Sequence, residues 1–143
     1  FQTYIKNVLA NAKILAETLK NNGFKIYSGG TDTHLMLVDL RPFNVKGNAA
    51  AESLCRANIT CNKNGIPFDT ESPMVTSGIR LGSQAATTRG FGLKEFEKVG
   101  ELITRVIKGL SKNPNDNSKI EDEVRKEVVD LCSSFPIYKN LNK

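Results

Sequence analysis

The first twenty-odd residues carry apolar side chains at helical spacing. These apolar residues recur every three or four positions, at Ile5, Val8, Leu9, Ala12, Leu15 and Leu19. Asn21, Asn22 and Gly23 follow, and such residues commonly end a helix in a left-handed conformation. The pattern therefore predicts an amphipathic first helix whose apolar stripe packs on another layer.

Short apolar runs separated by turn-forming residues characterise the middle of the chain. The predicted elements are strands at 24–27 and 35–40, a helix at 46–57, a short strand at 59–61 and a strand around Arg80. The predicted connections are a turn at 28–32, a polar turn at 62–67 and a loop at 69–77. The segment 62–67 has too little apolar content to belong to a core, so we predict that it lies at the surface.

A long amphipathic pattern returns in the last third of the chain. Its apolar positions are Phe96, Val99, Leu102, Ile103, Val106 and Leu110. Acidic Glu95 and Glu97 stand near its start, and basic Arg105 and Lys108 stand near its end. This order of charges complements the helix dipole and supports a third helix.

A last helix is predicted after the loop 113–117. Ser118 and Glu121 have capping-box spacing, and they precede apolar residues at helical intervals up to Leu131. We expect this helix to end near Ser134, before Pro136. The full order of helices and strands predicts an α/β sandwich, in which helices cover at least one face of a small sheet.

Composition places the chain among ordinary soluble globular proteins. Its 143 residues are 39% hydrophobic and 24% charged, which is enough for one domain with a real core. No apolar run approaches the roughly 20 residues of a membrane-spanning helix, and no basic segment precedes an apolar leader. We therefore expect a cytoplasmic protein with no membrane partner.

The three cysteines favour neither disulfides nor zinc. Cys55, Cys61 and Cys132 are odd in number and lack the C-x-x-C spacing. We expect them to be reduced, buried thiols. The one histidine, His34, forms no familiar metal-ligand spacing with them, so we expect a structural, hydrogen-bonded role and no metal site.

The net charge of +5 is unevenly distributed. Residues 111–143 hold six Lys/Arg and six Asp/Glu, so the whole excess lies in residues 1–110. The basic residues are dispersed and are not interleaved with aromatic ones, which makes a nucleic-acid partner a weak expectation. An anionic small molecule would be attracted by the same field.

Arg80 is the first candidate for chemistry. It stands in a short apolar strand between Gly78 and Gly82. The planar guanidinium fork matches a carboxylate with two parallel hydrogen bonds, and the glycines allow a ligand close to the backbone. Alternatively, Arg80 is a structural residue paired with an internal Asp or Glu. Thr76 and Ser77 precede it and are candidates to line a site without acting as nucleophiles.

With these elements in order, four stretches resemble the C-terminal domain of the serine hydroxymethyltransferase family. They are Ser28-Gly29-Gly30-Thr31-Asp32-Thr33-His34-Leu35 through Val38-Asp39-Leu40-Arg41; Ala57-Asn58-Ile59-Thr60 through Asn62-Lys63-Asn64; Ser72-Pro73-Met74-Val75-Thr76-Ser77-Gly78-Ile79-Arg80-Leu81-Gly82; and Thr87-Thr88-Arg89-Gly90-Phe91. Several long motifs agree at once, so the resemblance is highly specific over residues 1 to about 110. Family motifs become sparse in the tail from Ser111 onward.

The resemblance implies a transferase of one-carbon metabolism that uses pyridoxal phosphate. Enzymes of this family interconvert serine plus tetrahydrofolate with glycine plus methylenetetrahydrofolate. On this resemblance, Arg80 corresponds to the arginine that holds the carboxylate of the amino acid. Asn64 matches the position whose amide contacts the folate pterin; alternatively, it is a turn asparagine that bonds its own backbone. Asp32, His34, Asp39 and Arg89 lie in family motifs, and we expect structural roles for them, with Arg89 tying the loop after the Arg80 strand.

The resemblance also implies a division into parts. Residues 1–143 correspond to the small C-terminal domain of the fold-type I aminotransferase class, an α/β unit with a small, mixed, largely antiparallel sheet covered by helices. Within it we expect a linking helix at 1–22, a core at 24–110 and a helical tail at 111–143. The large cofactor-binding domain is absent from this sequence, as is the stretch with the Schiff-base lysine. None of Lys6, Lys13, Lys20, Lys25, Lys46 and Lys63 stands in that context.

We therefore expect a chain that is inactive alone. It begins at Phe1 within a predicted helix, which is typical of a piece of a longer protein. It would supply Arg80 and Asn64 but no catalytic or cofactor-binding residue to a homodimer or higher homo-oligomer that binds serine or glycine and folate. The alternative is a noncatalytic module that binds a small carboxylate through Arg80, or RNA through its basic face.

Overall fold

The computed structural model describes residues 2–27 and 35–135. The helices in these ranges are α1 (Gln2–Asn21), α2 (Gly47–Arg56), α3 (Gln84–Thr88), α4 (Leu93–Lys112) and α5 (Ser118–Ser133), with a 3-10 helix at Arg41–Phe43. The strands are β1 (Lys25–Tyr27), β2 (Leu35–Asp39), β3 (Asn62–Asn64) and β4 (Gly78–Gly82). The predicted turn at 28–32 and His34 lie outside the described residues.

The four strands form one antiparallel sheet in the order β1-β2-β4-β3. Val38 of β2 stands opposite Ile26 of β1 and Ile79 of β4, and Ile79 in turn stands opposite Lys63 of β3. Arg80 is therefore on an inner strand, while β3 is an edge strand with only one neighbour. The small sheet with its helices confirms the predicted α/β fold.

The two faces of the sheet differ sharply in burial. Because side chains alternate along a strand, Val38, Ile79 and their neighbours Met36 and Leu81 share one face, and all four are at most 5% exposed. On the opposite face, Leu35 is 42% exposed and Arg80 is exposed. The helices thus cover one side of the sheet and leave the other side open among the described residues.

Helices α1 and α4 form the main layer over the sheet. Their inward residues Leu15, Leu19, Leu102 and Val106 are all at most 1% exposed. The helices approach closely because Gly100 of α4 carries no side chain where it meets Thr18 of α1. The two predicted helices are therefore confirmed, and the α4 stripe shares a core with Ala12, Leu15 and Leu19 of α1, whereas Ile5 at the start of the predicted α1 stripe is 41% exposed.

One predicted strand is wrong. The segment 59–61 is not a strand; β3 comes directly after it at Asn62–Asn64, where a polar turn was predicted. The reason is that pairing with β4 decides where this edge strand lies, and polar side chains are tolerated there because one face is open. Ile59 instead packs at the margin of the core. The short helix α3 was not predicted.

The predicted capping box at the start of α5 is also wrong. The N-terminal capping position is Asn117, and Asp116 Oδ1 accepts hydrogen bonds from the Ser118 backbone N–H at 3.0 Å and its hydroxyl at 2.7 Å. Glu121 turns instead toward Ser53 and Arg56. A buried partner from α2 therefore overrides the local capping bond.

The cysteines are free, but the expectation that all are buried is wrong. Cys55 is exposed on α2, while Cys61 and Cys132 are half-buried. Burial raises the pKa of the Cys61 thiol to about 11, with a smaller contribution from nearby Cys55. In the same described ranges, no cluster of His, Cys, Asp and Glu is arranged to hold a metal ion. None of the helices described is both long and apolar enough to span a membrane.

Candidate functional site

Arg80 projects from the open face of the sheet. It stands in β4 opposite Leu37 of β2 on one side and Asn62 of β3 on the other. Its side chain is exposed, and no carboxylate within the described ranges pairs with it. Here the fold displays a guanidinium that is free to receive an anion. The positions two residues away on the same strand face, Gly78 and Gly82, carry no side chains.

Gly78 is required by close packing. A Cβ atom at this position would lie 2.8 Å from the Val38 carbonyl oxygen and 2.9 Å from Cγ2 of Ile66. Such distances force a shift of backbone, since real Cβ atoms do not approach a carbonyl so closely. The glycine therefore lets the strand carrying Arg80 pair tightly with β2 beneath the loop at residue 66.

Asp69 organises the loop that leads into β4. Its carboxylate accepts hydrogen bonds from the backbone N–H groups of Ile66, Glu71 and Ser77 and from the Ser77 hydroxyl, at 2.8 to 3.2 Å. Partial desolvation by itself raises the pKa of Asp69, but these four bonds outweigh it, and the pKa lies well below its ordinary value. The Ser77 hydroxyl thus donates to Asp69 and is buried.

Thr76 sits in the left-handed region with φ of 62°. Its hydroxyl donates to the Gly78 carbonyl at 3.0 Å, and its side chain is buried. A non-glycine residue in this conformation is held there by its surroundings. Thr76 and Ser77 are therefore buried residues that hold the start of the Arg80 strand, and they do not line an open site.

Asn64 lies at the end of β3, opposite Gly78. Its Nδ2 donates to the carbonyl of the adjacent Gly65 at 2.9 Å, which is the local bond that the turn interpretation predicted. The amide oxygen receives no hydrogen bond from any residue that the structure describes. The local bond therefore orients the carboxamide and leaves its acceptor available on the same face as Arg80.

A cluster of Asp39, Arg41 and Tyr27 closes the open face at one end. The Asp39 carboxylate is 1% exposed and accepts from Arg41 Nη2 at 2.8 Å and from the Tyr27 hydroxyl at 3.2 Å. Burial by itself raises the pKa of Asp39, but the hydrogen bonds and the charge of Arg41 outweigh it and leave the pKa below its ordinary value. These bonds agree with the structural role expected of Asp39.

Arg89 lies in the segment that follows β4 and α3, and its hydrogen bonds fasten this segment to the end of α5, in line with the expected tie. Its Nε and Nη2 donate to the Phe135 carbonyl at 3.1 and 2.9 Å, so it binds the C-terminal end of α5. Carbonyl groups at a helix end lack intrahelical partners and are good acceptors for a guanidinium. Arg89 therefore joins α5 to the rest of the fold.

Two charged clusters were not found from the sequence. Glu121 is 4% exposed and accepts from Arg56 Nε at 2.8 Å and Nη2 at 2.9 Å, and from the Ser53 hydroxyl. The hydrogen bonds of Arg56 lower the pKa of Glu121, against the effect of burial. The partners are 65 residues apart, so no local pattern marks them.

The second charged cluster lines a groove between α4 and α5. Four cations line it: Arg105, Lys108, Lys112 and Lys119. Its volume is about 370 Å³, and Asp116 is the one carboxylate among its lining residues. Arg105 is held by Glu127, and the lysines are exposed. Residues that look dispersed along the sequence are thus brought together at one surface.

Comparison with known proteins gives consistent matches. The family model described as serine hydroxymethyltransferase matches residues 1–103. The chain is 86% identical over 141 residues to a serine hydroxymethyltransferase of Pelagibacter ubique (strain HTCC1062), with 99% of the chain and 32% of that protein covered. It is 63% identical over 139 residues to the same-named protein of Marinomonas sp. (strain MWYL1), with 97% of the chain and 33% of that protein covered.

A third relative, from Paramagnetospirillum magneticum (strain ATCC 700264 / AMB-1), bears the same name and is 61% identical over 138 residues. That match covers 96% of the chain and 32% of the relative. The chain therefore spans about a third of the length of the curated relatives it matches. The identity extends beyond residue 103, so the tail is shared with these relatives as well.

Proposed function

The chain belongs to the serine hydroxymethyltransferase family, and we propose on that basis that it forms one part of an enzyme that interconverts serine plus tetrahydrofolate with glycine plus methylenetetrahydrofolate. One observation supports this above the others. Arg80, in the stretch that resembles the family's carboxylate site, is exposed on the open face of the sheet and has no partner among the described residues.

We assign to Arg80 the binding of the substrate carboxylate. A guanidinium binds a carboxylate with two parallel hydrogen bonds, which fixes the orientation of the amino acid as well as its position. Holding the carboxylate determines which bond at the α-carbon faces the reacting group, and such positioning is a major part of catalysis. Arg80 would act in this way without exchanging a proton.

Asn64 is proposed to contact the folate. Its carboxamide offers a donor and an acceptor to the edge of a heterocycle. The bond from Nδ2 to the Gly65 carbonyl leaves the oxygen free to accept from a ring N–H or amino group. Asn64 and Arg80 share one face of the sheet, so the two substrates would meet there.

We propose that residues 1–143 form the small C-terminal domain of the full enzyme, with a linking helix at 1–22, a core at 24–110 and a helical tail at 111–143. Residues of all three parts, among them Leu15, Ile79 and Val124, contribute to one buried cluster. This shared core supports a single folded unit. The remaining two-thirds of the length of the relatives would hold the large domain.

Pyridoxal phosphate is the cofactor that the family implies, and the lysines that the structure describes do not fit it. A lysine that binds such an aldehyde must be enclosed with its cofactor, whereas the lysines of ranges 2–27 and 35–135 are exposed or half-buried at the surface. Lys46 and Lys98 are engaged with Glu71 and Glu127. We therefore propose that the cofactor is held by the part of the enzyme outside this chain.

The proposal extends to assembly and location. We propose that the full enzyme is a homodimer or higher homo-oligomer in the cytoplasm, with serine or glycine and folate as its small-molecule partners. Analytical ultracentrifugation of the full-length enzyme tests the assembly. A purely monomeric active enzyme would contradict that part alone.

Kinetics of the full-length enzyme test the residue roles. We expect Arg80→Lys to raise KM for serine by about 100-fold, because a bidentate charged contact becomes a single one, with KM for tetrahydrofolate nearly unchanged. We expect Asn64→Ala to raise KM for tetrahydrofolate and to leave KM for serine nearly unchanged. Arg125→Lys is the matched control, since Arg125 lies on α5 and pairs with Asp122. Unchanged KM for serine in Arg80→Lys would overturn the assignment.

A further inference from the structure

Asn62 is the residue that stands directly opposite Arg80 on the edge strand. The two residues are register partners in the β3–β4 ladder. Directly opposed residues in an antiparallel pair have Cβ atoms about 5 Å apart and project to the same face. Asn62 and Arg80 are both exposed, and neither side chain is bonded to another described residue. A free carboxamide therefore lies beside the free guanidinium.

Apart from Asn62, the residues directly opposite Arg80 or two positions along β4 offer nothing polar, and the diagonal neighbours Asp39 and Asn64 have hydrogen-bond partners of their own. Leu37, on the opposite flank, is apolar, and the same-face neighbours along β4 are Gly78 and Gly82. Asn62 is thus the one polar side chain in direct register with Arg80. Because β3 is an edge strand, no further strand of the described sheet lies beyond Asn62 to offer its side-chain amide a hydrogen-bond partner.

The two asparagine side chains of β3 lie at different levels relative to Arg80. Asn62 and Asn64 project to the same face and lie two residues apart, which is about 7 Å along a strand. Asn62 is level with Arg80, whereas Asn64 is level with Gly78 and is turned toward the Gly65 carbonyl. Asn62 is therefore the better placed of the two to reach an anion held by Arg80.

We propose that Asn62 completes the carboxylate receptor, with its Nδ2 donating a hydrogen bond to a carboxylate oxygen that Arg80 holds. This inference rests on the proposed function and adds a residue to it. An ionised carboxylate has about four acceptor positions, of which a bidentate guanidinium uses two. A neutral amide donor beside the guanidinium satisfies a third position and fixes the tilt of the carboxylate plane. Because the Asn62 amide is neutral, it adds no further charge to the site when no ligand is bound.

Calorimetric titration of the full-length holoenzyme with glycine tests the proposal. We expect Asn62→Ala to weaken glycine binding about tenfold, as for loss of one hydrogen bond to a charged group. Asn62→Asp should weaken it further, because the new carboxylate competes for Arg80 and repels the ligand. The affinity for tetrahydrofolate should change less than twofold in both variants. Asn115→Ala is the matched control, since Asn115 is an exposed asparagine in the loop before α5.

The outcomes separate this inference from the proposed function. If Arg80→Lys weakens glycine binding and Asn62→Ala leaves it within twofold of the parent, the role of Asn62 is wrong and that of Arg80 stands. If Arg80→Lys has no effect, the proposed function itself fails. Asn62→Thr guards against a folding defect, because threonine favours strands and keeps a donor. It should bind glycine more tightly than Asn62→Ala; equal weakening would also overturn the proposal.

Discussion

Gly47 and Thr76 approach so closely that no side chain fits between them. A Cβ atom on Gly47 would lie 2.0 Å from Thr76 Oγ1 and 2.5 Å from the Gly78 carbonyl oxygen. The Gly47 backbone N–H also donates to the Thr76 carbonyl at 2.9 Å. The start of α2 is thus fastened to the loop that leads into the Arg80 strand.

Gly47→Ala should therefore destabilise the chain by about 3 kcal/mol, at the upper end of the range for overpacking, because backbone atoms are among those that must move. Urea unfolding followed by circular dichroism measures this change. Gly65→Ala is the matched control: its nearest neighbour would be Asp69 Oδ2 at 3.8 Å, and we expect a change below about 1 kcal/mol. Similar stabilities for the two variants would contradict the close approach.

Gly100 performs a similar function between α1 and α4. A Cβ atom there would lie 2.7 Å from Thr18 Cγ2 and 3.0 Å from Thr18 Cβ. We expect Gly100→Ala to destabilise the chain by about 1–2 kcal/mol despite the better helix propensity of alanine. Thr18→Ser removes the methyl group and should recover part of the loss. A double-mutant cycle by urea unfolding checks this, and additive effects would show that the two residues do not press on each other.

Arg56→Ala should destabilise the chain by about 2 kcal/mol. Arg56 is half exposed, but its loss leaves the buried carboxylate of Glu121 with only the Ser53 hydroxyl. Combining it with Glu121→Gln should restore stability relative to Arg56→Ala alone, because the uncompensated charge is removed. Thermal and urea unfolding of the two single variants and the double variant test this. A double variant less stable than Arg56→Ala would contradict the explanation.

Acid should weaken the fold through Asp39. The folded-state pKa of Asp39 lies below its ordinary value, so its contribution to the free energy of unfolding is complete above about pH 4, the unfolded pKa, and is lost as pH falls through the folded pKa. Asp39→Asn should therefore be less stable than the parent at pH 7. The difference should shrink below pH 4. Urea unfolding at pH 7, 5, 4 and 3 measures it, and a constant difference would contradict the prediction.

The cysteines should react with iodoacetamide at different rates. Cys55 is exposed, whereas the pKa of Cys61 is raised to about 11, so that little thiolate forms at pH 8. We expect Cys55 to be modified well before Cys61. Mass spectrometry of digests from a time course at pH 8 measures the order. Equal rates in the folded chain would show that Cys61 is more accessible than its burial indicates, and unfolding in urea should equalise them.

Local patterns were sufficient for most of the fold. The helical periodicities of α1 and α4 identified the faces that form the core, since Leu15 and Val106 are both buried where the stripes place them. The strand predictions failed at 59–61, where the apolar content of Ile59 pointed to the wrong segment. An edge strand needs only backbone pairing with its neighbour, so the polar run Asn62–Asn64 becomes β3.

The sequence by itself determined the fold class, the family resemblance and the candidacy of Arg80, because these depend on residue types at short spacing. Only the tertiary structure decided which distant residues meet. The register of β3 on β4 places Asn62 beside Arg80, and packing of α5 on α2 turns Glu121 from the expected cap to Arg56. Such contacts depend on the packing of whole elements, and no local sequence pattern encodes the distance between two side chains that are far apart in the chain.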